Sequence, residues 1–204
     1  MEVEQLGNGW RLILSPQEYQ LVLENATSRD SEIVMRLCAE SCLRYSEALE
    51  ATLQRVEEVQ CGGEEVLFYH IPHKEKQVPR LGQDNGRETI LPEDLFDLME
   101  EHVKAEDLSY RDPLIQYCTR SVFNHVKQAG VKTAEQTGKD EFRKLSPHDL
   151  RASFVVNAIE RFRMHPQVVL EIGGWTRFDS MAAELSEPTQ EDLLREYNRH
   201  EMRQ

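Results

Sequence analysis

The chain has 204 residues, 37 of them acidic and 24 basic, for a formal net charge of -13. That length carries one full hydrophobic core, so residues 1–204 are read as a single domain. No apolar run approaches the roughly 18 residues of a membrane span, and the start MEVEQLGNGW lacks a leader pattern, which points to a soluble, cytoplasmic protein with no membrane partner. The bases are 17 arginines and 7 lysines. At low salt such a surface repels nucleic acid, but in molar salt screening shrinks to about 3 Å and the repulsion nearly vanishes. A DNA partner therefore stays open, provided that arginines cluster locally. The four cysteines form no CxxC pair; Cys38 and Cys42 lie one turn apart in an apolar helical pattern and are read as reduced, buried thiols. His70 and His73 have no second ligand pair, so neither a metal nor a cofactor is expected.

In chain order, residues 14–26 form a helix with Ser15 as cap and Pro16 at its first position. Residues 31–52 make a longer helix with an apolar stripe of Ile33, Val34, Leu37, Cys38 and Cys42, breaking near residues 41–44. Residues 64–73 and 87–92 have the β-branched and aromatic content of strands, joined by the turn-rich residues 74–86 and preceded by a third candidate at 54–60. Helices return at 92–105 and 111–130, the latter with Gly130 as its cap. Residues 131–144 read as polar and partly mobile; helical patterns follow at 148–162 and 165–175 and in a C-terminal helix over 187–203. The fold class is mainly α with one small antiparallel sheet (α+β).

The stretch LSPHDLRASF, residues 145–154, carries the first functional signal. Ser146 suits an N-cap, Pro147 the first helical position, and Asp149 the reach back of a capping box. His148 and Arg151 then share one face at the positive end of the macrodipole, a setting suited to phosphate. Taken alone, these residues suit a solvated surface pair equally well.

Three segments together extend the signal: CLRYSEAL (residues 42–49) before the strands, SPHDLRASF after them, and IGGW (residues 172–175) about two dozen residues later. In order and spacing they resemble the catalytic domain of the tyrosine recombinases, the phage-integrase family, over nearly the whole chain from Trp10. HDLR, GGW with the following EPT, and the acidic composition are most similar to integrases of salt-loving archaea and their viruses. The resemblance implies a tyrosine recombinase catalytic-domain fold and double-stranded DNA as partner. In that family a tyrosine hydroxyl attacks a backbone phosphate without metal or cofactor. It implies that Arg44 and Arg151 neutralise the phosphate oxygens, that His148 donates or shuttles a proton, and that Trp175 donates its indole N–H. It assigns protonation of the leaving oxygen to a lysine in the sheet's turn, where this chain offers Lys74 and Lys76; Lys76 is taken, although its setting departs from the family's.

The nucleophile departs further. The family's tyrosine stands nine residues after the Trp175 position, where this chain has Glu184, and the nearest later tyrosine is Tyr197. The family's usual N-terminal core-binding domain is also not expected. Three functions remain open: a DNA-binding protein that keeps the phosphate pocket without strand cleavage and serves recombination or a mobile element; an active recombinase cutting with Tyr197, in cis or in trans; and a protein-interaction module that no longer binds DNA. Relatives exchange C-terminal segments between neighbours, so the resemblance also implies self-association through the last helix.

Overall fold

The computed structural model describes residues 2–6, 9–72, 86–116 and 118–182, with residues 185 and 190. His73, Lys74, Lys76, Glu184, Tyr197 and the expected C-terminal helix lie outside them. Among the described residues no helix is long and apolar enough to cross a membrane.

The chain opens with a hairpin that its sequence does not announce: β1 (Glu2–Leu6) pairs antiparallel with β2 (Gly9–Ile13). Helix α1 (Pro16–Leu23) starts as expected, with Glu18 completing a capping box on Ser15. Helix α2 (Arg29–Glu40) carries the apolar stripe and ends at the anticipated break. Cys42 takes a left-handed φ of 57°, which no α-helix can continue, and the Leu43 N–H turns back to the Leu37 carbonyl at 3.0 Å. The chain then restarts as the short helix α3 (Tyr45–Leu49).

The sheet has the order β3 (Val56–Cys61), β4 (Glu64–Ile71), β5 (Arg87–Ile90), antiparallel throughout. Gly62 and Gly63, both at positive φ, make the two-residue turn between β3 and β4. Thr89 of β5 donates to the Ser41 carbonyl at 2.9 Å, which fixes the sheet against the broken end of α2. Helix α4 (Glu93–Ala105) follows.

Helix α5 corrects two expectations. It runs from Thr119 to Thr137, so the segment after residue 130 begins as helix, and the left-handed cap is Gly138 rather than Gly130. Gly130 sits inside the helix because a Cβ there would come 2.3 Å from the Phe142 carbonyl oxygen and 3.0 Å from the Leu145 Cβ. Its role is close approach of a 3-10 turn (Asp140–Lys144), whose Phe142 is fully buried, so these residues are a packed corner and not a mobile linker. Helix α6 (Pro147–Val156) then crosses the core and continues as a π turn (Asn157–Arg161), so the helical segment ends within one residue of the expected 162. Helices α7 (Pro166–Gly173) and α8 (Phe178–Ala182) complete the described chain.

The main core gathers Leu37, Leu43, Tyr69, Leu95, Met99, Phe142 and Leu150. A second cluster of Cys42, Val155, Ala158, Val169 and Met181 lies between α6 and α7. Burial raises the thiol pKa of Cys38 to about 12 and that of Cys42 to about 11, in keeping with their reading as reduced core residues. Asp149 joins the hairpin to α6: one oxygen accepts the Ser146 N–H at 2.8 Å and hydroxyl at 2.7 Å, and the other accepts the Leu12 N–H at 3.0 Å.

Alanine is the better helix former by about 1 kcal/mol over glycine, yet Gly130→Ala should lower stability, by about 1–3 kcal/mol for an overpacked contact. A urea melt reads the sign directly; a more stable variant would place the corner at Phe142 elsewhere.

Candidate functional site

The site forms where four breaks in regular structure meet: the α2–α3 junction, the start of β5, the first turns of α6, and the end of α7. Arg44 is the N-cap of α3, and Glu47 three residues later accepts its backbone N–H at 2.7 Å, as the carboxylate of a capping box. The Arg44 guanidinium also turns onto Glu47, with Nη1 at 2.8 Å from Oε1, while Nη2 points to the Gly174 carbonyl at 3.4 Å. Its side chain keeps 45% of its surface exposed.

Arg151 is the opposite case. Its residue exposure is 6%, and its Nη atoms donate to the Cys42 carbonyl at 2.6 Å and the Gly173 carbonyl at 2.7 Å. These two bonds fasten α6 to the helix break on one side and to the end of α7 on the other. A guanidinium has five N–H donors, so further donors remain after both carbonyls are satisfied. Glu47 Oε2 lies 3.9 Å from Arg151 Nη1. Burial, reinforced by the Arg44 and Arg87 charges, pushes the Arg151 pKa down from the usual arginine value.

The end of α7 explains the two glycines. The Trp175 N–H bonds the Leu170 carbonyl and the Gly174 N–H that of Glu171, a Schellman closure with Gly174 left-handed at φ 66°. The indole folds back over Gly173, where a Cβ would lie 1.5 Å from a ring carbon. The ring packs against the second cluster and faces the Arg151 guanidinium carbon, 4.2 Å from its centroid, a cation–π contact. At Gly174 a Cβ would meet the Arg87 side chain at 2.6 Å.

Arg87 is the participant that the sequence did not reveal. As the first residue of β5 it donates Nε–H to the Ile172 carbonyl at 2.9 Å and grips Glu47 with both Nη atoms, at 2.9 Å to Oε1 and 2.7 Å to Oε2. Glu47 thus accepts from Arg44 and Arg87 with Arg151 close by. Burial works to raise its pKa, but the hydrogen bonds and charge of Arg87 and Arg44 outweigh it and hold the carboxyl at about 2. A sequence signal for Arg87 exists only in hindsight: an arginine opening a short strand that packs against a glycine, Gly174, which leaves room for it.

The structure therefore brings Arg44, Arg151 and Trp175 together, with Glu47 and Arg87 beside them. His148 stands exposed on the first turn of α6, three residues before Arg151 and on the same face. Lys76, Glu184 and Tyr197 lie outside the described residues. Among the described residues no group of histidine, cysteine and acidic side chains could hold a metal ion.

No protein-family model and no curated protein matches the sequence. Solved structures do. XerA recombinase superposes with a TM-score of 0.67 at 16% identity, over 93% of this chain and 65% of its own. The Tn1549 transposon integrase in complex with transposon right end DNA gives 0.66 at 13% identity, over 92% and 65%. The catalytic domain of bacteriophage HP1 integrase gives 0.54 at 17% identity, over 85% and 86%. The chain spans 65% of the length of the XerA and Tn1549 chains. Its architecture, mostly helical around a small three-stranded antiparallel sheet, is the tyrosine recombinase catalytic-domain fold.

The depressed Glu47 pKa has a consequence for acid stability. The folded value of about 2 lies below the ordinary glutamate value of 4.5, so the stabilisation is present above the unfolded pKa and is lost as pH falls through the folded one. Between pH 4.5 and 2 the wild type should lose stability more steeply than Glu47→Gln, by about 3 kcal/mol over the window. Urea melts at stepped pH compare the two; parallel slopes would mean that the carboxylate is not held by its arginines.

Proposed function

We propose that the protein binds double-stranded DNA through a phosphate pocket of Arg44, His148, Arg151 and Trp175, without cleaving the strand, in support or regulation of site-specific recombination or of a mobile element. The observation that carries this reading is the convergence of Arg44 and Arg151 beside the Trp175 ring. One guanidinium is exposed enough to meet a ligand, and the other is held rigidly with donors to spare. A planar, permanently charged fork suits the two nonbridging oxygens of a phosphodiester. His148, on the first turn of the helix that carries Arg151, supplies a hydrogen-bond donor to the same group.

Glutamate at position 184 supports the loss of cleavage. A carboxylate there cannot form a phosphotyrosyl bond, and it would set a negative charge beside the phosphate. Lys76 belongs to the same reading as the group that would serve the leaving oxygen if cleavage occurred. An origin in a salt-loving archaeon or its virus fits the acidic, lysine-poor composition, and self-association through the C-terminal residues follows from the family resemblance; both belong to the same proposal. The Tn1549 structure, which holds transposon DNA, supports the choice of partner.

A nicked suicide duplex from the protein's own genomic neighbourhood, titrated at high salt, tests this. Retarded complexes without covalent adduct are expected. Arg44→Ala or Arg151→Ala should weaken binding about tenfold or more and lower the salt slope by about one. Glu184→Tyr should then restore some nicking. An adduct that disappears in Tyr197→Phe would make the protein an active recombinase, and no binding at any salt would make it an interaction module.

A further inference from the structure

Three guanidiniums and one carboxylate meet in the pocket, and they are not equivalent. Arg44 touches Glu47 with a single nitrogen of its guanidinium and stays half exposed; Arg151 gives its bonds to backbone carbonyls. Among the three guanidiniums, that of Arg87 engages both oxygens of Glu47, with 14% of its side chain exposed and its Nε–H committed to the Ile172 carbonyl. The bidentate fork is the strongest geometry for an arginine and a carboxylate. It is held in register by the backbone of the segment that carries Trp175, and it has room because residue 174 has no Cβ.

We infer that Arg87 is the counter-charge of Glu47, a positioning residue that neutralises this carboxylate so that Arg44 and Arg151 keep their positive charge for a bound phosphodiester. The inference rests on the DNA-binding reading of the pocket. Glu47 is needed where it is, because it caps α3 and orients Arg44. Without Arg87 the carboxylate would cancel one of the two remaining cations, and a phosphate would meet one net positive charge instead of two. Arg87 commits its Nε–H to Ile172 and one N–H of each Nη to Glu47, and it acts through Glu47.

Removal of charge, singly and as a pair, tests this in the full chain, using a fluorescent duplex of mixed sequence and anisotropy across a salt series. Arg87→Gln should weaken binding about tenfold, the usual scale for an uncompensated charge in a phosphate site. Arg87→Gln combined with Glu47→Gln restores the balance and should return affinity to within about threefold of wild type. A purely structural role predicts the reverse, with the double variant weaker than either single one. Urea melts accompany each variant. If Arg87→Gln does not fold, Arg87→Lys, which keeps the charge and loses the fork, should bind within about threefold of wild type. Wild-type affinity in folded Arg87→Gln, a double variant no better than Arg87→Gln, or binding by folded Arg87→Lys as weak as that expected of the glutamine variant overturns the inference. Wild-type binding that is indifferent to Arg44→Ala and Arg151→Ala would instead remove the DNA-binding reading, and the inference with it.

Discussion

One carboxylate organises the pocket. Glu47 sits on a five-residue helix that could not hold its own shape in water, and three arginines from three separate elements approach it. Each brings a backbone attachment: Arg44 to Gly174, Arg87 to Ile172, Arg151 to Cys42 and Gly173. The charges and the chain breaks are thus solved together. Carbonyls left without partners by the end of α2 and the end of α7 are satisfied by the guanidiniums that the site gathers.

This arrangement accounts for the burial of Arg151. An isolated guanidinium at 6% exposure would be costly, and the single carboxylate nearby, at 3.9 Å, is already shared. Two carbonyl acceptors and the face of Trp175 replace its lost water instead. Gly173 lets the indole fold onto the helix end, and Gly174 lets the chain reverse while Arg87 passes behind it. The pair of glycines therefore sets the positions of two side chains that neither glycine touches by chemistry of its own.

What the sequence disclosed follows from range. The caps at Ser15 and Ser146, the break near Cys42 and the apolar stripe of α2 depend on neighbours within a few residues, and they read correctly. Arg44, Arg151 and Trp175 stand out in the sequence because they fall in local motifs whose order resembles a known family. Arg87 does not, since its meaning lies in Glu47, forty residues earlier, and in Ile172, eighty-five later. Gly130 was misread for the same reason: the local rule makes a late glycine a cap, while the tertiary contact with Phe142 makes it a spacer. The opening hairpin escaped because its pairing is completed by Asp149 and Ser153 on α6, which accept the Leu12 and Leu14 N–H groups.

The overall charge and the pocket work at different distances. A net charge of -13 spread over the chain acts across many ångströms and is screened by salt within about 10 Å at 0.1 M and about 3 Å at 1 M. Bonds of 2.6–2.9 Å inside a site with Arg151 and Arg87 largely buried are shorter than either length and lose little. Salt therefore weakens the long-range field of the acidic surface sooner than it loosens the short bonds that hold the arginines in place. Retaining arginine where lysine is scarce suits that division, because a fork that is fixed by hydrogen bonds keeps its direction when long-range attraction is gone.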